Sequence, residues 1–204
     1  MGTSTWIIAS VFLLTLTQAR AQYVNTTCEE FEKNARFDPF EIVDSKWKII
    51  YFWSPTVEPR PVIFSLLARK RLDRFKEVVN ALEPELRPEW DKAAFMMEPK
   101  PGVQVVMLYL GTAGAFRGIV KFEQRYKDRP IPPPLIKLAD LRFKLVDRHM
   151  AMMCCEDMTA FVLSRTKEVP SSEEECLQIA SKFGLKGVSG RSHFYLKSLT
   201  RTEL

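Results

Sequence analysis

Phe161-Val162-Leu163-Ser164-Arg165-Thr166 ends one kind of structure, and another begins a few residues later. Met158–Ser164 has the length and apolar character of a strand. Pro170 follows, and Ser171-Ser172-Glu173-Glu174-Glu175 carries the signature of a helix start. A serine hydroxyl caps free backbone N–H groups, and the carboxylates favour the positive end of the helix dipole. Leu177, Ile179, Ala180 and Phe183 then form an apolar stripe, and Gly184 ends it. A single helix with one apolar face must be covered, and the outside of a sheet is the available partner.

Working back toward the N-terminus, that sheet is long. Trp47, Ile49, Tyr51 and Trp53 alternate with Lys46, Lys48, Ile50 and Phe52, which predicts a strand with one face turned inward. Leu141, Phe143 and Leu145 alternate with Arg142, Lys144 and Val146 and give the cleanest period of two. Val62–Ala68, Phe75–Ala81, Ala93–Met97, Val103–Leu110, Phe116–Glu123 and His149–Cys155 complete the expected set, with Glu156-Asp157 as the last hairpin turn. Such spacing suits an antiparallel barrel or sandwich. Glu83–Trp90 reads as a loop, and Pro130-Ile131-Pro132-Pro133-Pro134 as a stiff connector barred from any central strand.

The first 21 residues stand apart. Trp6 to Leu16 is apolar but too short to span a bilayer, and Ala19-Arg20-Ala21 is a small-x-small cleavage pattern. A signal peptide over residues 1–21 and one mature domain over 22–204 are expected, with no membrane insertion. The formal net charge of +5 falls by one with Arg20. Its densest run, Ala68-Arg69-Lys70-Arg71, is followed by Asp73 and Glu77 and reads as solvated, so no nucleic-acid partner is expected. Cys28, Cys154, Cys155 and Cys176 all survive cleavage, and an even number in a secreted chain favours disulfides. No Cys-x-x-Cys pair occurs, and His149 and His193 are the only histidines, so no metal is expected. Asn25-Thr26-Thr27 is a glycosylation acceptor at Asn25.

The two ends of the strand-rich region carry a resemblance. Phe37-Asp38 precedes Ser45-Lys46-Trp47, Leu145-Val146-Asp147-Arg148-His149 follows an alternating strand, and Leu163-Ser164-Arg165-Thr166 closes the last one. In order and spacing these resemble the three short motifs of the lipocalins, and most closely those of the insect pigment-binding and apolipoprotein D type. Ser45 replaces the first motif's glycine, and the second motif lacks its tyrosine. The resemblance implies a mainly β fold: an eight-stranded up-and-down barrel over about 45–166, with a helix at about 171–183 packed outside. It further implies that Arg165 lies across the indole of Trp47 at the closed end. It pairs Cys28 with Cys155, leaving Cys154 for Cys176, although 154 and 155 could exchange roles.

An eight-stranded barrel has room inside for one small ligand. The expected inward residues are Tyr51, Trp53, Phe64, Phe75, Phe95, Met97, Met107, Tyr109, Phe143, Leu145 and Met153, an apolar lining rich in Phe and Met. The expected function is therefore extracellular binding or transport of a small hydrophobic ligand such as a pigment, lipid or retinoid. The alternative is a filled barrel acting on a protein receptor or target through its loops. The chain has no Gly-x-Ser-x-Gly, phosphate loop or His-Glu-x-x-His, and His149 sits at a strand start unsuited to haem ligation. Neither enzyme activity nor a cofactor is expected.

Overall fold

Eight antiparallel strands wind once around and close on themselves. The computed structural model describes residues 23–123 and 132–196. The expected signal peptide and Pro130-Ile131, the first two residues of the proline-rich connector, lie outside the described residues. The strands are β1 (Lys46–Trp53), β2 (Val62–Leu66), β3 (Ala93–Lys100), β4 (Val103–Tyr109), β5 (Ala115–Phe122), β6 (Leu135–Val146), β7 (His149–Cys154) and β8 (Thr159–Arg165). Each pairs with the next; β8 pairs with β1, and Lys46↔Ile63 and Trp47↔Val62 close the circle between β1 and β2. A two-residue strand, β9 (Arg191–Ser192), sits outside the barrel against Tyr51 and Phe52 of β1. Closure leaves few unpaired strand edges and turns alternate side chains toward one enclosed core.

Among the described residues three α-helices pack against the barrel. The short α1 (Cys28–Glu32) is held by a reciprocal cap between Thr27 and Glu30. Ser172 caps α3 (Glu173–Ser181), whose buried stripe is Cys176, Ile179 and Ala180 with Phe183 just beyond. Leu177, expected in that stripe, is 53% exposed. The third helix, α2 (Arg69–Leu82), corrects the expected strand at Phe75–Ala81. Leu72, Phe75, Val79 and Leu82 recur at the helical spacing of three and four, and Asp73, Arg74 and Glu77 fall on the other face. The window Phe75–Ala81 holds only two members of that stripe, so the period was not visible within it. Phe75 and Val79 pack over Met96, Val106, Leu108 and Ile119 on the outer wall.

A register shift between Ile49 and Tyr51 on β1 turns the chain by one residue. Trp47 and Ile49 belong to the inner core together with Phe52, while Ile50, Tyr51 and Trp53 lie outside beneath α3. The approach there is close. A Cβ on Gly187 would stand 2.7 Å from the Trp53 indole, and one on Gly190 would stand 2.8 Å from the Tyr51 hydroxyl. The disulfide Cys28–Cys155 ties α1 to the end of β7 across 127 residues of sequence.

Candidate functional site

The barrel's closed end is built from the N-terminal approach. The Asp38 carboxylate accepts from the Phe40 N–H and starts a 3-10 turn over Pro39–Glu41, which delivers Ile42 and the Glu41 carbonyl beneath β1. Trp47, wholly buried, donates its indole N–H to the Ile42 carbonyl at 2.9 Å. The Arg165 guanidinium lies 5.0 Å from the centre of the Trp47 ring, and its Nη2 donates to the Glu41 carbonyl at 2.9 Å. Backbone and side chains thus hold the cation where the π face favours it.

Just inside this clasp the barrel is packed. Phe37 reaches inward against Phe95, Phe116 and Phe143, with ring centres 5.2–5.9 Å apart. Phe64 joins them at 6.2 Å from Phe95 and 6.3 Å from Phe143. Most of these pairs are tilted or edge-on, the arrangement the ring quadrupole prefers. Gly114 makes room for them: it has φ +79°, and a Cβ there would overlap the Phe143 carbonyl at 2.0 Å. Mid-barrel the filling continues, since a Cβ on Gly118 would stand 2.8 Å from Val105 and 3.3 Å from Leu141.

The other half of the interior differs. Val120, Phe122, Ala139, Cys154 and Phe161 belong to the same inner core yet are only half-buried. Val57, from the β1–β2 loop, also packs against this core. Beneath them Phe52, Met97, Val103, Val105, Leu141 and Met152 are buried. The result is an apolar, partly accessible mouth above a floor of side chains. Beside it lies an open cleft of about 430 Å³ between Tyr23, Ser54–Thr56, Asp157, Thr159 and Phe161.

Of the residues expected to face inward, Phe64, Phe95, Met97, Met107, Phe143 and Leu145 are together in the inner core. The others are elsewhere. Tyr51, Trp53 and Met153 form the outer layer under α3, and Phe75 lies on α2 against the outer wall. Tyr109 ends β4, packs with its ring tilted 5.8 Å from that of Phe116 and is 41% exposed. The mouth residues Val120, Phe122, Ala139, Cys154 and Phe161 are not among the residues expected to face inward; Cys154 was expected in a disulfide. The alternation of Phe116, Gly118, Val120 and Phe122 could have found two of them.

The thiols also depart from expectation. Cys154 and Cys176 are free, and they lie on opposite faces of the wall. α3 covers the outer face, on which Cys155 already pairs with Cys28, whereas Cys154 points into the mouth. Burial pushes the Cys154 thiol up to about 11, against a backbone hydrogen bond at Asp157 that lowers it. The thiol donates to the Glu156 carboxylate at 3.4 Å. Burial, reinforced by Glu175 and Glu173, raises Cys176 to about 11 as well, and its Sγ lies 3.6 Å from His193 Nδ1. Both are held as thiols rather than nucleophilic thiolates. Asn25 is exposed at the start of the described chain.

Among the described residues no group of three or more His, Cys, Asp or Glu side chains could hold a metal ion. Among them, too, no helix is long and apolar enough to cross a membrane. Comparison of the chain with models of known protein families, with curated proteins and with solved structures gives no match. The class of protein therefore rests on the geometry: a closed eight-stranded antiparallel β-barrel with an external C-terminal helix, an arrangement consistent with the lipocalin type.

Proposed function

We propose that this chain is a secreted, lipocalin-type carrier that holds one small hydrophobic molecule in the mouth half of its barrel. The observation that carries this reading is the set Val120, Phe122, Ala139, Cys154 and Phe161, apolar residues of the inner core that remain partly accessible. Apolar surface kept reachable inside a concavity is what a small-molecule site offers, and water gains by leaving it. The filled lower half limits the ligand to a short or compact one. Secretion is supported by the Cys28–Cys155 bridge, which persists in oxidising compartments, and by the expected signal peptide. The chemistry is binding without turnover.

Titration with an apolar fluorophore tests the proposal. One site per chain is expected, and Ala139→Trp, which fills the mouth, abolishes uptake while the melting temperature holds. Equal uptake by Ala139→Trp overturns it. A second reading, a protein-binding barrel that acts through its loops, is favoured by the packed rings of Phe37, Phe95, Phe116 and Phe143. It predicts no uptake of any apolar probe.

A further inference from the structure

On the outer wall, beside the rim of the mouth, β1, β2 and β3 enclose a cleft of about 320 Å³. It is lined by three exposed cations, Lys46, Arg60 and Lys100, and by Pro61, Ile63 and Pro101. The cleft has one carboxylate, Glu98, which is already engaged. Arg71 of α2 pairs with it at 2.7 Å, and the Gln104 amide donates to it at 3.4 Å. Arg60 has only Glu58 nearby, at 3.7 Å, beyond hydrogen-bond reach. Among the described residues Lys46 and Lys100 have no acidic partner; the Lys100 ammonium lies 5.7 Å from the Phe122 ring. The positive band then passes over Arg71 to the first turns of α2. Arg69, Lys70 and Arg74 are exposed there without an acidic partner among the described residues, and Asp73 and Glu77 are the acidic members of the same segment.

We propose that this cleft, continued along the start of α2, is the docking surface for a sulfated polysaccharide chain. Like charges gathered around one concavity repel one another, and a bound polyanion relieves that repulsion. Three features select the partner. The Arg71–Glu98 pair joins the cleft to the first turn of α2, so Arg69, Lys70 and Arg74 extend the cationic surface beyond the cleft, which suits an extended chain bearing charge at intervals. Pro61, Ile63 and Pro101, exposed in the lining between the cations, offer apolar surface to the faces of sugar rings. The guanidinium groups of Arg60, Arg69 and Arg74 match the oxygens of a sulfate as they do those of a phosphate. A flat membrane would meet the rim of this concavity and leave its cations unmatched. The site lies on the outside of the wall and is distinct from the cup interior, which it meets only where Lys100 approaches Phe122 at the rim.

The test uses the full mature chain and heparin, with the dissociation constant measured across a salt series. The expected result is binding that weakens as salt rises. Lys46→Ser with Arg60→Ser and Lys100→Ser should then cost about tenfold or more and flatten the salt dependence by about two to three counterions. Arg148→Ser with Lys167→Ser and Lys186→Ser removes the same charge elsewhere and should change affinity less than twofold. All six positions are exposed, and an unchanged melting temperature confirms that each variant is folded. Equal losses in the two triple variants would mean attraction by net charge alone and would overturn the proposal. So would the absence of heparin binding, or adsorption to phosphatidylserine vesicles in its place.

Discussion

Phe95 sits within the cluster of rings that fills the lower barrel, and replacing it measures how solid that half is. Its ring is fully buried and lies 5.1–6.2 Å from those of Phe37, Phe64, Phe116 and Phe143. Phe95→Ala removes the transfer free energy of the ring and leaves a cavity, together about 3–5 kcal/mol for such a substitution. Four ring pairs, each worth about 0.5–1.5 kcal/mol beyond buried area, place this site in the upper part of that range. At roughly 2–4 °C per kcal/mol for a chain of this size, a loss of about 4 kcal/mol lowers the melting temperature by roughly 8–16 °C. Urea unfolding gives the free energy and a thermal scan the shift. The new cavity is walled by aromatic rings and should stay dry, so saturating benzene should restore part of the lost stability. A cost below about 1 kcal/mol with no effect of benzene would refute a packed lower barrel.

Three further outcomes follow from the same geometry. Arg165→Met removes both the cation over Trp47 and the donor to the Glu41 carbonyl; about 1–3 kcal/mol should be lost in urea titration, with fluorophore affinity unchanged. Cys28→Ser opens the bridge that closes the long loop to Cys155 and should cost about 2–5 kcal/mol, read as a lower urea midpoint. His149 is held below its ordinary range, chiefly by burial and also by Lys182 and Arg148, while Glu168 and Asp147 pull the other way. The unfolded chain therefore takes up this proton first as pH falls. The contribution of the neutral ring is intact above about pH 6.5, the unfolded value, and is lost progressively below it. His149→Gln should flatten that part of the stability–pH curve, and an unchanged slope would remove His149 as its source.

Much of this fold could be read from sequence because its signals are local. Leu141, Phe143 and Leu145 keep one parity through β6, and Ser172 caps α3 with its hydroxyl on the Glu175 N–H. The strands of β3, β4, β5, β7 and β8 fall within a few residues of their expected bounds. The failures arose where one backbone event changed many assignments. The shift after Ile49 moved Tyr51 and Trp53 from the interior to the layer beneath α3, and no residue type at that position announces it. The apolar stripe of α2 begins at Leu72, ahead of Phe75–Ala81, so that run taken by itself shows no helical period. The assignment of Cys154 depended on which face the C-terminal helix covers, a tertiary fact that spacing does not carry. Filling of the lower barrel depends on Phe37 entering from the N-terminal segment, a contact made 58 residues away from Phe95 in sequence.

The central claim is that the mouth of the barrel carries a small hydrophobic molecule. Native mass spectrometry of the mature chain from a secreting host, before and after organic extraction, addresses it most directly. The account predicts a discrete mass of one small molecule per chain, lost on extraction and regained when the extract is returned, and absent from Ala139→Trp. A single unliganded mass from the secreting host, together with no uptake of any apolar fluorophore by the folded protein, would contradict it.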